Sequence, residues 1–137
     1  MDKETIEDFS KYRIEKAKET LKTAEFILEE GNDYASANNR AYYAIFYAIR
    51  AVLALEQIDF KRHKDVVAYF NKMYVATGKF PKDLGRMIAK LQQLREKSDY
   101  DDFFVASIAK AEQQIMTAEK VITEVDYFIR NNDSKSK

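Results

Sequence analysis

Apolar residues recur along most of this chain at alternating spacings of three and four, the pattern of helices that bury one face. The first such segment covers residues 5–30, with Gly31 placed to end it and Asn32 or Asp33 placed to cap the next helix. The second covers residues 34–57 and is apolar on nearly every side. We therefore expect this second helix to be buried on most sides.

Three further helical segments come after a break at residues 58–62. Gly78 is placed to end the first of them, and Pro81 suits the first turn of the next. The segments in order are a short helix at 63–77, a helix ending near 97, an acidic connector at 98–102, a last helix starting between 103 and 107 and ending near 131, and a frayed tail at 132–137. The pattern predicts one all-α domain over residues 1–137, an up-down four-helix bundle with an additional short helix.

Composition narrows the classes of function. Apolar residues make up 46% of the chain and charged residues 34%, and no apolar run approaches the roughly 20 residues of a membrane span. The charged N-terminus lacks the apolar segment of a signal peptide, which predicts a cytoplasmic protein with no membrane association. Because the chain has no cysteine and a single histidine, we expect no metal site and no cofactor.

The net charge is zero, but acidic and basic residues are distributed unevenly along the chain. Residues 1–33 carry six basic and ten acidic groups, whereas residues 58–97 carry ten basic and four acidic groups, a net charge of +6. A basic segment of this kind can bind a phosphate backbone, or it can simply form a solvated helix face.

Helix two contains the first of three candidate spots. Arg40, Tyr43 and Tyr47 stand at three- and four-residue spacings and so share one face of the helix. A guanidinium beside aromatic rings can grip a phosphate while a base stacks on the rings. The alternative is that the tyrosines are core or dimer-interface residues with their hydroxyls at the rim.

The second spot is the basic stretch before the short helix. Lys61, Arg62 and Lys64 flank His63, and these like charges should favour the neutral imidazole, which suits a general base or a phosphate contact. The alternative is a helix-start histidine on a solvated basic loop.

The third spot lies at the end of the fourth helix. Arg95 and Tyr100 have the polar reach for a phosphate site, and Asp99 could orient either of them. The alternative is an Arg95–Asp99 pair that caps the helix end. We predict that Arg40, Lys61, His63, Arg95 and Tyr100 converge on one cleft.

These three spots, in this order and at these separations, resemble the small HEPN proteins of the UPF0332 group over residues 6–128. The resemblance implies a HEPN bundle that forms a homodimer and is paired, as a toxin and antitoxin, with a minimal nucleotidyltransferase. Homodimerisation is also expected because helix two is apolar on more faces than one four-helix core can bury.

The chain departs from the ribonuclease members of that family at one position. Those members carry an arginine, four to six residues and then a histidine, where this chain has Arg95, with Tyr100 five residues later and no histidine after Arg95. The group expected to handle the proton of the RNA 2′-hydroxyl is therefore missing from its usual place. Only His63, from another helix, or Tyr100 could stand in for it.

Three functions are consistent with these observations. The first is a homodimeric module that binds nucleotide or RNA phosphate through Arg40, Tyr43, Lys61, Arg62, His63, Arg95, Asp99 and Tyr100. The second is a divergent metal-independent endoribonuclease that uses Arg95 with His63 or Tyr100. The third is a dimeric adaptor without catalysis.

Overall fold

The computed structural model describes residues 2–31, 33–100 and 107–135, with side chains described to residue 93 in the fourth helix and to residue 132 in the last. The regular secondary structure in these ranges is all helical, so the prediction of an all-α fold is confirmed. The helices are α1 (Lys3–Glu30), α2 (Tyr34–Ala54), α3 (His63–Phe70), which continues into a π-helical turn (Asn71–Val75), α4 (Lys82–Tyr100) and α5 (Ile108–Lys135).

Side chains cap the predicted helix starts. Asp2 accepts a hydrogen bond from the Thr5 amide at 2.8 Å, and Asp33, rather than Asn32, caps α2 through the Ser36 amide at 3.2 Å. Pro81 stands just before α4 instead of inside its first turn, and its carbonyl accepts a hydrogen bond from the Leu84 amide.

Three predicted helix ends were wrong. Helix α2 ends at Ala54 because residues 53–58 close a Schellman motif, in which the Gln57 amide donates to Ala54 and the Ile58 amide donates to Leu53. Gln57 takes the left-handed conformation, with φ 59°, that this motif requires. Helix α4 continues to Tyr100 and α5 to Lys135, since no glycine or proline interrupts the later part of either segment. The connector and tail expected there are therefore partly helical.

Helix α2 is the centre of the bundle and contacts α1, α3, α4 and α5. Five of its alanines are fully buried, and they allow neighbouring helices to approach closely; they are Ala37, Ala41, Ala44, Ala48 and Ala51. The Ser10 hydroxyl joins α1 to α2 by donating to the Ala51 carbonyl at 2.7 Å. The expected burial of α2 on most sides is confirmed. No helix in the described ranges combines the length and apolar character needed to cross a membrane.

The burial of α2 changes the basis for expecting a homodimer. Its apolar faces are covered by the chain itself, so α2 leaves no continuous exposed apolar surface for a second copy to bury. The large apolar side chains that are exposed in the described ranges lie outside α2, and they are Phe9, Tyr12, Phe26, Met73, Ile108, Met116 and Tyr127.

An aromatic cluster fastens the π-helical turn to α5. Tyr74 stacks on Phe70, with centroids 5.7 Å apart, and meets the Phe128 ring edge-on at 5.9 Å. The Tyr74 hydroxyl also donates to the Glu56 carboxylate, and burial together with this carboxylate raises the pKa of Tyr74 far above its usual value. Tyr74 therefore stays protonated and keeps the end of α2 connected to the π-helical turn.

Gly85 is where α4 meets that turn. A β-carbon at position 85 would lie 2.9 Å from Val75 Cγ1, closer than real contacts allow, and 3.3 Å from Asn71 Oδ1, closer than most. Valine is stiff about its first side-chain torsion and Val75 is buried, so it has little freedom to move away.

We predict that Gly85→Ala lowers the free energy of unfolding by about 1–2 kcal/mol, because overpacking at Val75 outweighs the better helix propensity of alanine. Urea denaturation followed by circular dichroism measures the change. Ala68→Gly, at an exposed helical position, gives the size of the propensity effect alone. If Gly85→Ala stabilises the protein, the contact with Val75 does not limit the packing.

Candidate functional site

Helix α2 reaches the surface along a single sector. From residue 39 to residue 50, every side chain is buried except those of Asn39, Arg40, Tyr43, Tyr47 and Arg50. Successive helical residues are rotated by about 100°, which puts these five within roughly one third of the helix circumference. The sector includes the arginine and both tyrosines that the sequence singled out.

His63 lies against this sector. It is half-buried at the first residue of α3, and its Nδ1 is 3.2 Å from the Tyr42 hydroxyl. Its ring packs on Phe46 with centroids 3.8 Å apart, and it meets the edge of Tyr43 at 5.8 Å. His63 thus starts a helix, as the alternative interpretation expected, but its imidazole is not simply solvated, because three aromatic rings of α2 fix its orientation.

Arg50 anchors the loop between α2 and α3, which ends at His63. Its Nη2 donates to the Phe60 carbonyl at 3.1 Å, its Nε lies 3.2 Å from Asp59 Oδ1, and its guanidinium covers the Phe46 ring at 4.6 Å. Phe46 thus contacts both the imidazole and the guanidinium. Arg13 from α1 adds a second, longer contact to Asp59, at 3.8 Å.

The cations around His63 are on the surface. Lys61, Arg62 and Lys64 are all exposed. Arg62 is engaged by Asp65, with its Nε 2.9 Å from Oδ2. An exposed pair of this kind contributes only about 0–1 kcal/mol, so it leaves Arg62 able to exchange Asp65 for a phosphate.

Tyr43 connects the first two predicted spots. It contacts His63 on one side and lies 6.3 Å from the Tyr47 ring on the other, while Lys16 from α1 places its Nζ 5.0 Å from the Tyr47 ring centre. Both tyrosines are half-buried against the core, as the structural alternative expected, yet they still border the open sector. Arg40 is exposed at the end of the same row.

The third predicted spot lies at the end of α4. Arg95, Asp99 and Tyr100 fall in its last two turns, but their side chains lie outside the described residues. The convergence of Arg95 and Tyr100 with Arg40, Lys61 and His63 therefore stays a prediction.

Sequence reasoning missed several residues that shape this site. Phe46 and Arg50 continue the four-residue spacing from Tyr42, which could have been read as one face, whereas nothing local pointed to Asp59. Asn38, one turn before Tyr42, was also missed. It is buried, and its side-chain nitrogen and oxygen both lack a hydrogen-bond partner among the described residues. A buried amide requires a hydrogen bond to a water or to another polar group, so Asn38 is a candidate contact for a ligand.

Comparison with known proteins identifies a matching family model and several similar proteins. The family model described as the HEPN domain matches residues 10–128. A UPF0332 protein of Thermotoga maritima is 30% identical, across 91% of this chain and 94% of that protein. A protein of Methanocaldococcus jannaschii with the name "Putative toxin MJ0605" is 35% identical, across 85% of this chain and 80% of its own length. The family model spans most of the chain, the resemblance seen in the sequence is confirmed, and the chain belongs to the HEPN domain family.

Proposed function

We propose that this HEPN protein is a homodimeric module that binds RNA or nucleotide phosphate over the open sector of α2 and works with a minimal nucleotidyltransferase in a toxin-antitoxin-like pair. The observation that carries the proposal is the His63 imidazole, held on an aromatic platform and flanked by exposed cations. The toxin-like name of one relative supports the pairing, and the nucleotidyltransferase partner is inferred from the family alone.

Electrostatics support phosphate as the ligand. The segment from residue 58 to residue 97 has a net charge of +6. Among the described side chains, no cation of this segment forms an ion pair with an acidic residue of α1. The acidic first helix therefore does not neutralise the described cations of this segment by direct ion pairing, which supports an anionic ligand. Arg62 pairs with Asp65 instead, and any pairing with the acidic connector lies outside the described side chains.

Single-stranded RNA fits the aromatic part of the sector. Tyr43 and Tyr47 offer rings beside Arg40 and Lys16, and bases stack on such rings while the cations contact the backbone. Double-stranded RNA keeps its bases stacked inside the helix and could use only the cations. Single strands are therefore the favoured ligand.

We predict that binding of a fluorescent single-stranded RNA weakens steeply between about 50 and 200 mM salt, with a slope of roughly −0.7 per phosphate contact. Lys61→Ala and Arg95→Ala should each weaken binding and flatten that slope by about one contact. Lys22→Ala, on the exposed face of α1, is the matched control and should change neither. Absence of binding at the low-salt end, or identical slopes for all four proteins, would leave only the adaptor.

The dimer has its own test. Exposed Met116 borders a groove of about 240 Å³ between α4 and α5, whose lining is mixed: Met87 and Leu91 are apolar, and the other side chains are polar or charged. We infer that a second copy covers Met116 at this groove. We expect light scattering at micromolar concentration to give about twice the 16.0 kDa of one chain. Met116→Glu should shift the protein toward the monomer, because it places a charge in the interface.

Phe26→Glu provides the control for that experiment. Phe26 and Met116 are similarly exposed, at 65% and 66%, but Phe26 lies on α1. A dimer unaffected by Met116→Glu but broken by Phe26→Glu would move the interface to α1. A wild-type mass of one chain would remove the dimer from the proposal.

A second candidate function is a metal-independent endoribonuclease, and the contact between Tyr42 and His63 favours it. The hydroxyl can donate to Nδ1 or accept from it, so this contact holds the imidazole in one orientation whichever tautomer it takes, as a proton-handling group requires. For this enzyme we expect total RNA to shorten in the presence of a chelator with the wild type, and to stay intact with Arg95→Ala and His63→Gln. Equal cleavage by the wild type and both variants would indicate a contaminating nuclease.

A further inference from the structure

A second pocket lies between the turn before α4 and the last part of α5, and it shares no residue with the surroundings of His63. Its cavity of about 300 Å³ is lined by Lys79 and Phe80 from the turn and by Glu124, Tyr127, Phe128 and Asn131 from α5, with Asn132 at the rim. The α5 residues stand at positions i, i+3, i+4 and i+7, so they form one face of the helix. Neither the resemblance nor the proposed phosphate site involves this pocket.

The floor of the pocket is aromatic and rigid. The Phe80 and Phe128 rings are 5.0 Å apart, and Tyr74 packs edge-on against Phe128 from below. Phe80 is only 3% exposed, whereas Phe128 is half-buried and Tyr127 is exposed. A flat aromatic ligand can therefore lie on Phe128 with the exposed Tyr127 side chain at its edge, and stacking of this kind favours planar rings over aliphatic groups.

A donor and an acceptor stand at this floor. Lys79 contributes an ammonium whose Nζ lies 5.1 Å from the Tyr74 ring centre, and Glu124 contributes a carboxylate. Among the described residues neither side chain forms an ion pair, and Lys120, which interacts with Glu124 electrostatically, is itself paired with Asp83. Both are therefore available to a ligand that offers an acceptor next to donors on one edge.

Guanine offers that edge. Its O6 accepts one hydrogen bond, and its N1–H and N2–H groups donate two parallel hydrogen bonds that match a carboxylate. Adenine has only its amino group to donate on the corresponding edge. A phosphate fits less well than a neutral base because Glu124 repels it. The cavity volume, at the lower limit for ligand sites, suits a single base.

We propose that this pocket binds a guanine base, with Phe128 as the stacking surface, Glu124 accepting from N1–H and N2–H, and Lys79 donating to O6. The base can come from a free nucleoside or from an unstacked residue of single-stranded RNA. The site does not depend on the proposed phosphate site, since the recognised atoms belong to the base alone.

The test is a titration of isotopically labelled protein with guanosine to about 1 mM, a concentration that detects even weak affinity, followed by amide NMR. Shifts should cluster at residues 79–80 and 124–131 and leave His63 and Tyr43 unmoved. Inosine, which lacks the N2 amino group, should bind roughly tenfold more weakly because one hydrogen bond to a charged group is lost. Guanosine monophosphate should bind no more tightly than guanosine.

Two variants sharpen the test. Glu124→Gln keeps the side-chain shape but loses one of the two acceptors, so guanosine binding should fall roughly tenfold and the preference over inosine should disappear. Glu112→Gln, at an exposed position nearer the start of α5, should behave as the wild type. Glu112 is exposed and Glu124 is half-buried at the pocket, and circular dichroism would check that both variants fold.

A short single-stranded RNA separates the two sources of the base. If guanosine alone produces the shifts at the pocket, the ligand is a nucleoside; if only an oligonucleotide with one guanine does so, and its inosine counterpart does not, the base belongs to RNA. Shifts near His63 without shifts at the pocket would support the phosphate site and overturn this proposal. Equal binding of guanosine and inosine, or no effect of Glu124→Gln, would also overturn it.

Discussion

The burial of α2 is the constraint on which the remaining structure depends. Its alanines bring α1 and α5 close to its backbone, while Ile45, Ile49 and Leu53 fill the space that remains. A helix enclosed in this way can meet solvent only where no neighbour covers it. The single open sector from Asn39 to Arg50 is therefore a consequence of core packing, and the polar and aromatic residues there are the ones positioned to meet a ligand.

The loop after α2 places His63 against that open sector and so completes the candidate site. The Schellman motif at Gln57 turns the chain back, and Arg50 then anchors Asp59 and Phe60. Together they bring His63 against the rings of α2. The histidine is thus positioned by a turn, an ion pair and aromatic contacts with α2, so its orientation depends on packing against α2 more than on its own helix.

The two surfaces proposed to bind ligands differ in their chemistry. Around His63, cations surround an aromatic platform, an arrangement suited to a charged backbone with stacked bases. In the pocket on α5, one cation and one carboxylate flank an aromatic floor, which suits the edge of a neutral base. A protein with both surfaces could bind the phosphates of an RNA strand at one surface and recognise one of its bases at the other.

The sequence by itself determined the all-α class, the helix order and the burial of α2 on most sides, because helical periodicity and glycine positions are local properties. The HEPN resemblance came from three short motifs and their separations in the sequence. It also singled out Arg40, Tyr43 and His63. Only the tertiary structure decided that Tyr42 and Phe46 contact His63, that Arg50 anchors the loop before it, and that Lys79 shares a pocket with Glu124, 45 positions away in the chain. Most of those contacts join residues far apart in sequence, and their geometry depends on how helices pack rather than on the pattern within any one of them.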